Sequence, residues 1–187
     1  MSTMSGFKKF LASAWEVLEV VIVSAAVVFL IRQFIAQPFL VSGASMEPNF
    51  YDGNYLIVDE LTYRFDEPER GDVIVHRYPK DPKTFFIKRI IGIPGDKVIV
   101  RKNEVHVYNK GVEIFLNEKY LPENTFTIGG VEAVLGPDQY FVMGDNSLNS
   151  LDSRSWGPLE KKYIVGIARM RLLPVKELGI IDRPGTE

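Results

Sequence analysis

Thr84-Phe85-Phe86-Ile87-Lys88-Arg89-Ile90-Ile91-Gly92-Ile93-Pro94-Gly95-Asp96 is the stretch on which the fold turns. Read as a strand, Thr84 to Ile93 places Phe86, Lys88 and Ile90 on one face and Ile87 and Arg89 on the other. Proline with its fixed φ, then glycine with access to positive φ, then aspartate suits a type II turn at its end. Outward from it lie similar short β-rich runs: Tyr55–Val58, Val73–Tyr78, Val98–Tyr108, Tyr140–Met143 and Tyr163–Arg171. Asn109-Lys110-Gly111 closes a further hairpin, and runs of this length between turn signals predict an all-β domain of antiparallel strands. Residues 111–137, with Gly129-Gly130 and mixed polarity, read as an irregular insertion between core strands.

Composition narrows the function. The 187 residues suffice for one well-buried domain, and a net charge of -2 gives no basic face for phosphates, so nucleic acid is not expected as a partner. Cysteine is absent, which excludes thiolate nucleophiles and cysteine-ligated zinc. His76 and His106, the only histidines, sit in alternating runs that suit half-exposed strand residues, and they are not spaced as metal ligands. No metal or organic cofactor is implied.

The N-terminal part has a different texture. Phe10 to Ile31 is apolar apart from Glu16 and Glu19, which share one helix face. At about 1.5 Å per residue the run reaches roughly 33 Å, against a hydrocarbon core of about 30 Å. Trp15 suits the interfacial belt, and Lys8 and Lys9 before the run favour a cytoplasmic N-terminus. The expectation is a short basic segment over 1–9, a single transmembrane helix over 10–34, and an extracytoplasmic domain over 35–187. A cleaved secretory signal and an amphipathic surface helix are the competing readings.

Three segments of the soluble part could do chemistry. Phe39-Leu40-Val41-Ser42-Gly43-Ala44-Ser45-Met46-Glu47-Pro48-Asn49 surrounds Ser45 with small residues, which leave a hydroxyl approachable and let backbone N–H groups converge on an oxyanion. Such a stretch also makes an ordinary linker. Lys88 is flanked by apolar side chains, and desolvation lowers the pKa of an ammonium, so that a neutral amine could take a serine proton near pH 7. A lysine guarding an edge strand has the same local sequence. Met143 to Arg154 is a polar loop crowded with hydroxyls, amides and Asp/Arg pairs, features that also shape ordinary turns.

Together these segments resemble the type I signal peptidases. The resemblance rests on Ser45-Met46-Glu47-Pro48, on Lys88-Arg89-Ile90-Ile91-Gly92-Ile93-Pro94-Gly95-Asp96, on Gly144-Asp145-Asn146 with Ser150-Leu151-Asp152-Ser153-Arg154, and on Arg70-Gly71-Asp72. It runs from the anchor to about Arg171, and three ordered motifs are far more specific than one. The resemblance implies two antiparallel sheets behind one anchoring helix. It implies a membrane-bound serine endopeptidase that removes signal peptides from exported preproteins after small residues, of the Ala-x-Ala kind. Ser45 would be the nucleophile and Lys88 the general base, with Ser150 orienting the lysine and the Ser45 N–H binding the oxyanion. Arg89, Asp145, Asp152 and Arg154 would brace the site, and Phe39, Leu40, Val41, Ser42, Phe86 and Ile87 would flank an extended substrate. Met46 would lie against the membrane side. Secretory preproteins, membrane lipid and a secretion translocon are the partners implied. Some relatives have a serine donor two residues before the nucleophile, where this chain has Gly43, and the family usually has threonine where this chain has Asn49. A self-cleaving repressor-type protease would need a DNA-binding head in place of the apolar helix. An organellar processing peptidase shares the motifs, and a silent membrane scaffold would predict loss of Ser45 or Lys88.

Overall fold

The computed structural model describes residues 3–34, 36–101, 103–116, 118–122 and 125–184, with side chains left aside at 3–9, 11, 12, 30–34 and 36. Two compact units result, Met1–Ala36 and Gln37–Glu187. The first is the helix α1 (Thr3–Phe34), on which Phe10, Trp15, Val17, Val20 and Phe29 are all exposed. Among the described residues no helix is long and apolar enough to cross a membrane.

The second unit is built from two antiparallel sheets. The larger holds, in spatial order, β1 (Ala36–Leu40), β2 (Tyr55–Asp59), β11 (Ile164–Leu173), β3 (Val73–Tyr78), β4 (Asp81–Gly92), β9 (Gln139–Met143) and β10 (Leu159–Glu160), with β12 (Gly179–Ile180) paired to β11. The smaller runs β7 (Val112–Ile114), β6 (Glu104–Asn109), β5 (Asp96–Arg101) and β8 (Val131–Val134). A short helix, α2 (Ser153–Trp156), follows the polar loop.

Two sequence expectations are corrected. The run Val98–Tyr108 is not one strand but the hairpin of β5 and β6, which pair from Asp96↔Asn109 to Arg101↔Glu104. Asn103, at φ 69°, supplies the left-handed residue of that turn, a conformation asparagine tolerates. The stretch 111–137 is more than an irregular insertion, because β7 and β8 lie within it and form the two edges of the smaller sheet.

The type II turn is formed as read. Asp96 N–H donates to Ile93 O at 3.0 Å and Gly95 has φ 87°. Asp96 is buried here and accepts from the Ile93 N–H, the Arg70 guanidinium and the Asn109 amide, so this one carboxylate ties together the passage between the sheets.

Hydrophobic burial then fixes β4 where its chemistry is needed. Its first half is exposed or half-buried, whereas Ile87 to Gly92 are all buried. Ile74, Ile90, Tyr140, Val142 and Leu159 form one core cluster, and Val41, Met46, Phe50, Leu56, Val73, Ile87 and Ala168 another. β4 thus crosses the middle of the sheet, paired to β3 on one side and β9 on the other, and Lys88 is not an edge-strand lysine. His76, which pairs with Phe86, is fully buried rather than half-exposed. Its ring packs against those of Phe86 and Trp156, and burial holds its pKa down to about 4.

Candidate active site

Ser45 sits on a turn that follows β1. Asn49 N–H and Phe50 N–H both donate to Met46 O, at 3.0 and 2.9 Å, curling the chain so that Met46 and Phe50 drop into the core. These two anchors leave Ser45 half-buried above them. Met46 therefore does not face outward toward a membrane: it is completely buried, because the curl directs its side chain under the sheet.

Lys88 reaches the same point from β4. Its Nζ lies 2.8 Å from Ser45 Oγ and donates to Ile87 O at 2.8 Å. Only 2% of the residue is exposed, and the Phe86 ring centroid lies 5.2 Å from the amine. Desolvation by this burial brings the pKa down from an ordinary 10.5 to about 8, while Asp152 and Asp145 pull it up and Arg154 pulls it down. A buried amine in hydrogen-bond contact with a serine hydroxyl can exchange a proton with it.

The polar loop arranges the charges behind this pair. Arg89, next to the lysine and on the opposite face, grips Asp145 through Nε at 2.9 Å and Nη2 at 2.7 Å. Its remaining arm donates to Gly71 O at 3.0 Å. Asp152 caps α2 and accepts from the Gly144 N–H at 3.0 Å and from Arg154 Nε at 2.8 Å and Nη2 at 2.7 Å. Arg154 in turn donates to Ser147 O and Ile128 O.

Gly144 is where loop and nucleophile turn meet. A Cβ there would lie 2.3 Å from Ser150 Oγ and 2.4 Å from Ser45 O, so only glycine admits both neighbours. Ser150 Oγ is buried at that contact and makes no hydrogen bond among the described residues, to Lys88 or to any other group. The Ser45 N–H likewise donates to nothing among the described residues, whereas Ser45 O accepts from the Asn146 N–H at 3.0 Å.

A cleft of about 90 Å³ opens beside the pair, lined by Phe39, Leu40, Val41, Ser42, Ser45, Phe86, Ile87 and Lys88 among others. The structure thus gathers every sequence-predicted flanking residue, while Met46 lies in the core. Val41, just past the end of β1, is buried, and Leu40 is exposed. A larger opening, about 430 Å³, lies beyond Arg89, but no serine or threonine lines it.

Two contributors were given no role by the sequence reading. Asn49 donates through Nδ2 to Asp145 Oδ2 at 2.8 Å and to Tyr120 O at 2.9 Å. The Tyr120 ring lies under the Arg89 guanidinium, 3.9 Å from Cζ to centroid. Asn49 was visible only as a departure from threonine, and nothing local marks Tyr120, whose role comes from a contact between distant segments.

Comparison with known proteins places the chain in a family. The family model described as "Signal peptidase, peptidase S26" matches residues 14–173. A Synechocystis protein named "Probable signal peptidase I-2" is 36% identical over 177 residues, covering 90% of this chain and 78% of its own. "Signal peptidase I P" of Bacillus subtilis subsp. natto is 33% identical over 171 residues, with coverages of 86% and 90%. A crystal structure of a signal peptidase I from Enterococcus faecalis aligns at 25% identity with a TM-score of 0.44, covering 55% of this chain and 97% of that one. The protein is an enzyme, a serine peptidase. It belongs to the signal peptidase family, peptidase S26, and within it to the signal peptidase I type.

Proposed function

We propose that the chain is a membrane-bound endopeptidase that removes signal peptides from exported preproteins, cutting after small residues with Ser45 as nucleophile and Lys88 as base. The observation that carries this reading is the 2.8 Å contact between Ser45 Oγ and the Nζ of a lysine that is only 2% exposed, whose burial lowers its pKa to about 8. Neutral Lys88 takes the proton of Ser45 as Oγ attacks the scissile carbonyl, and the unengaged Ser45 N–H meets the developing oxyanion. The lysinium then gives that proton to the leaving amine as the C–N bond breaks. Water attacks the resulting ester, losing a proton to Lys88, which returns it to Ser45 as the carboxylate product leaves. Ser150, the hydroxyl that the resemblance assigns to orienting this amine, offers a buried Oγ that no other group engages among the described residues.

Substrate enters as an extended strand between Phe39–Ser42 and Phe86–Ile87, the mode in which backbone hydrogen bonds give affinity and small pockets read alternate side chains. A cleft of about 90 Å³, far below the several hundred of a typical ligand pocket, suits alanine-sized side chains. α1 anchors the domain in the bilayer with its N-terminus cytoplasmic and the catalytic domain on the extracytoplasmic side, where preproteins leave the translocon. Its described apolar side chains, Phe10 and Trp15 to Phe29, are exposed, as those of a lipid-facing helix would be.

The test is incubation of detergent-solubilised protein with a preprotein bearing an Ala-x-Ala site, with the new N-terminus located by mass spectrometry. Cleavage after the second alanine is expected, lost in S45A and K88A; a folded wild type that leaves the preprotein intact sinks the reading. For the anchor, the full chain should resist alkaline extraction from membranes, and release into the supernatant would count against it.

A further inference from the structure

Ser45 and Lys88 lie on separate elements, so something must hold the nucleophile turn in register with β4. Two ties do so, one at each end of the turn. At the near end, Asn146 donates its N–H to Ser45 O and its Nδ2 to Ala44 O, both at 3.0 Å. At the far end, Asn49 Nδ2 donates to Asp145 Oδ2 at 2.8 Å and to Tyr120 O at 2.9 Å. Asp145 is the same carboxylate that grips Arg89, the residue next to Lys88. The Asn49 carbonyl also accepts from Arg171 Nη2 at 2.5 Å. The Asn49 side chain therefore joins three segments distant in sequence, the nucleophile turn, the loop after β9 and the Tyr120 segment, and its carbonyl adds β11 as a fourth.

We propose that Asn49 is a positioning residue that locks the nucleophile turn onto the Arg89–Asp145 pair and so sets the approach of Ser45 to Lys88. The proposal rests on the Ser45/Lys88 reading above. Without the Asn49 amide, the far end of the turn keeps the Arg171 contact to its carbonyl and the burial of Met46 and Phe50 but loses its bond to the Asp145 carboxylate that holds Arg89. The side-chain type matters. A primary amide has two N–H protons, and both are used here, whereas a threonine hydroxyl has one. Threonine at this position satisfies at most one of the two acceptors and leaves Tyr120 O or Asp145 Oδ2 short of a donor. The amide also reaches one bond further than the hydroxyl, which suits a carboxylate drawn toward Arg89.

The test compares N49A and N49T with wild type, S45A and K88A on the Ala-x-Ala preprotein, measuring kcat and KM across pH and the melting temperature of each protein. A displacement of reacting groups by about 1 Å can cost up to about a hundredfold. N49A is expected to lower kcat at least tenfold with KM within about twofold, and N49T to fall between. The acid limb of kcat should move to higher pH in N49A, because Asp145, relieved of one N–H, presents a less neutralised charge to Lys88. A kcat within twofold of wild type, or a loss that only follows the folded fraction with an unmoved pH limb, overturns the proposal. If N49A does not fold, N49T decides by the same criteria. Cleavage surviving in S45A or K88A overturns the dyad itself, an outcome separable from a failure of Asn49 alone.

Discussion

Raising the pH from 7 to 9 should increase kcat about tenfold, with a half-maximum near the Lys88 pKa of about 8. At pH 7 an amine of that pKa is neutral in roughly one molecule of eleven, and at pH 9 in roughly ten of eleven. A lysine at its ordinary 10.5 would be neutral in only about one molecule of 3,000 at pH 7, and its rate would climb about a hundredfold over the same range without levelling. Burial in β4 beneath Phe86 is thus the difference between a usable base and an idle one. The assay is steady-state cleavage of an internally quenched peptide in detergent micelles between pH 6 and 10. K88R is the control, since a guanidinium keeps its proton throughout. It should show no such rise and be about 10²- to 10⁴-fold slower than wild type on the alkaline plateau, the usual worth of a general base. A wild-type rate that is flat from pH 6 to 9, or one still rising tenfold per pH unit at 10, refutes the assignment, as does appreciable activity of K88R.

The same burial should carry a stability cost. Between pH 8 and 10.5 the unfolded chain binds a proton at this lysine that the native protein does not, so the cost is present in full below pH 8 and fades as pH rises through that window. Lys88→Met should therefore abolish cleavage yet stabilise the fold at pH 7 by about 1–3 kcal/mol, measured by chemical denaturation; a destabilised variant would show that the amine's hydrogen bonds outweigh its desolvation. His76 has a depressed pKa for the same reason, so stability should fall as pH drops from 6.5 toward 4, and His76→Phe should flatten the melting temperature over that range. An unchanged slope would place the acid sensitivity in the carboxylates. Arg89→Ala leaves Asp145 as a buried, uncompensated charge and should cost about 3–5 kcal/mol, read as a lowered denaturation midpoint. A loss below about 1 kcal/mol would mean that water reaches the carboxylate.

The strand order of the larger sheet could not be read from the chain, but its strands could, because period-two alternation and turn residues are local signals. Pro94-Gly95-Asp96 and Asn109-Lys110-Gly111 were legible for that reason: each turn needs φ values that few residues supply. The turn at Asn103 was missed because a single asparagine between two apolar runs is a weak break. Lys88 was ambiguous between an edge position and a buried one, since that depends on which strands flank β4, a non-local fact. Met46 was misplaced because its burial follows from the curl of the turn around its own carbonyl. Asn49 and Tyr120 form contacts across 71 residues, which no local pattern announces.

The most direct test of the Ser45/Lys88 account is to quench the reaction with an Ala-x-Ala peptide in acid and locate any covalent adduct by intact mass and peptide fragmentation. The account predicts an acyl ester on Ser45 in wild type, none in S45A, and one that forms far more slowly in K88A; an adduct on another residue, or unimpaired cleavage by S45A, would contradict it.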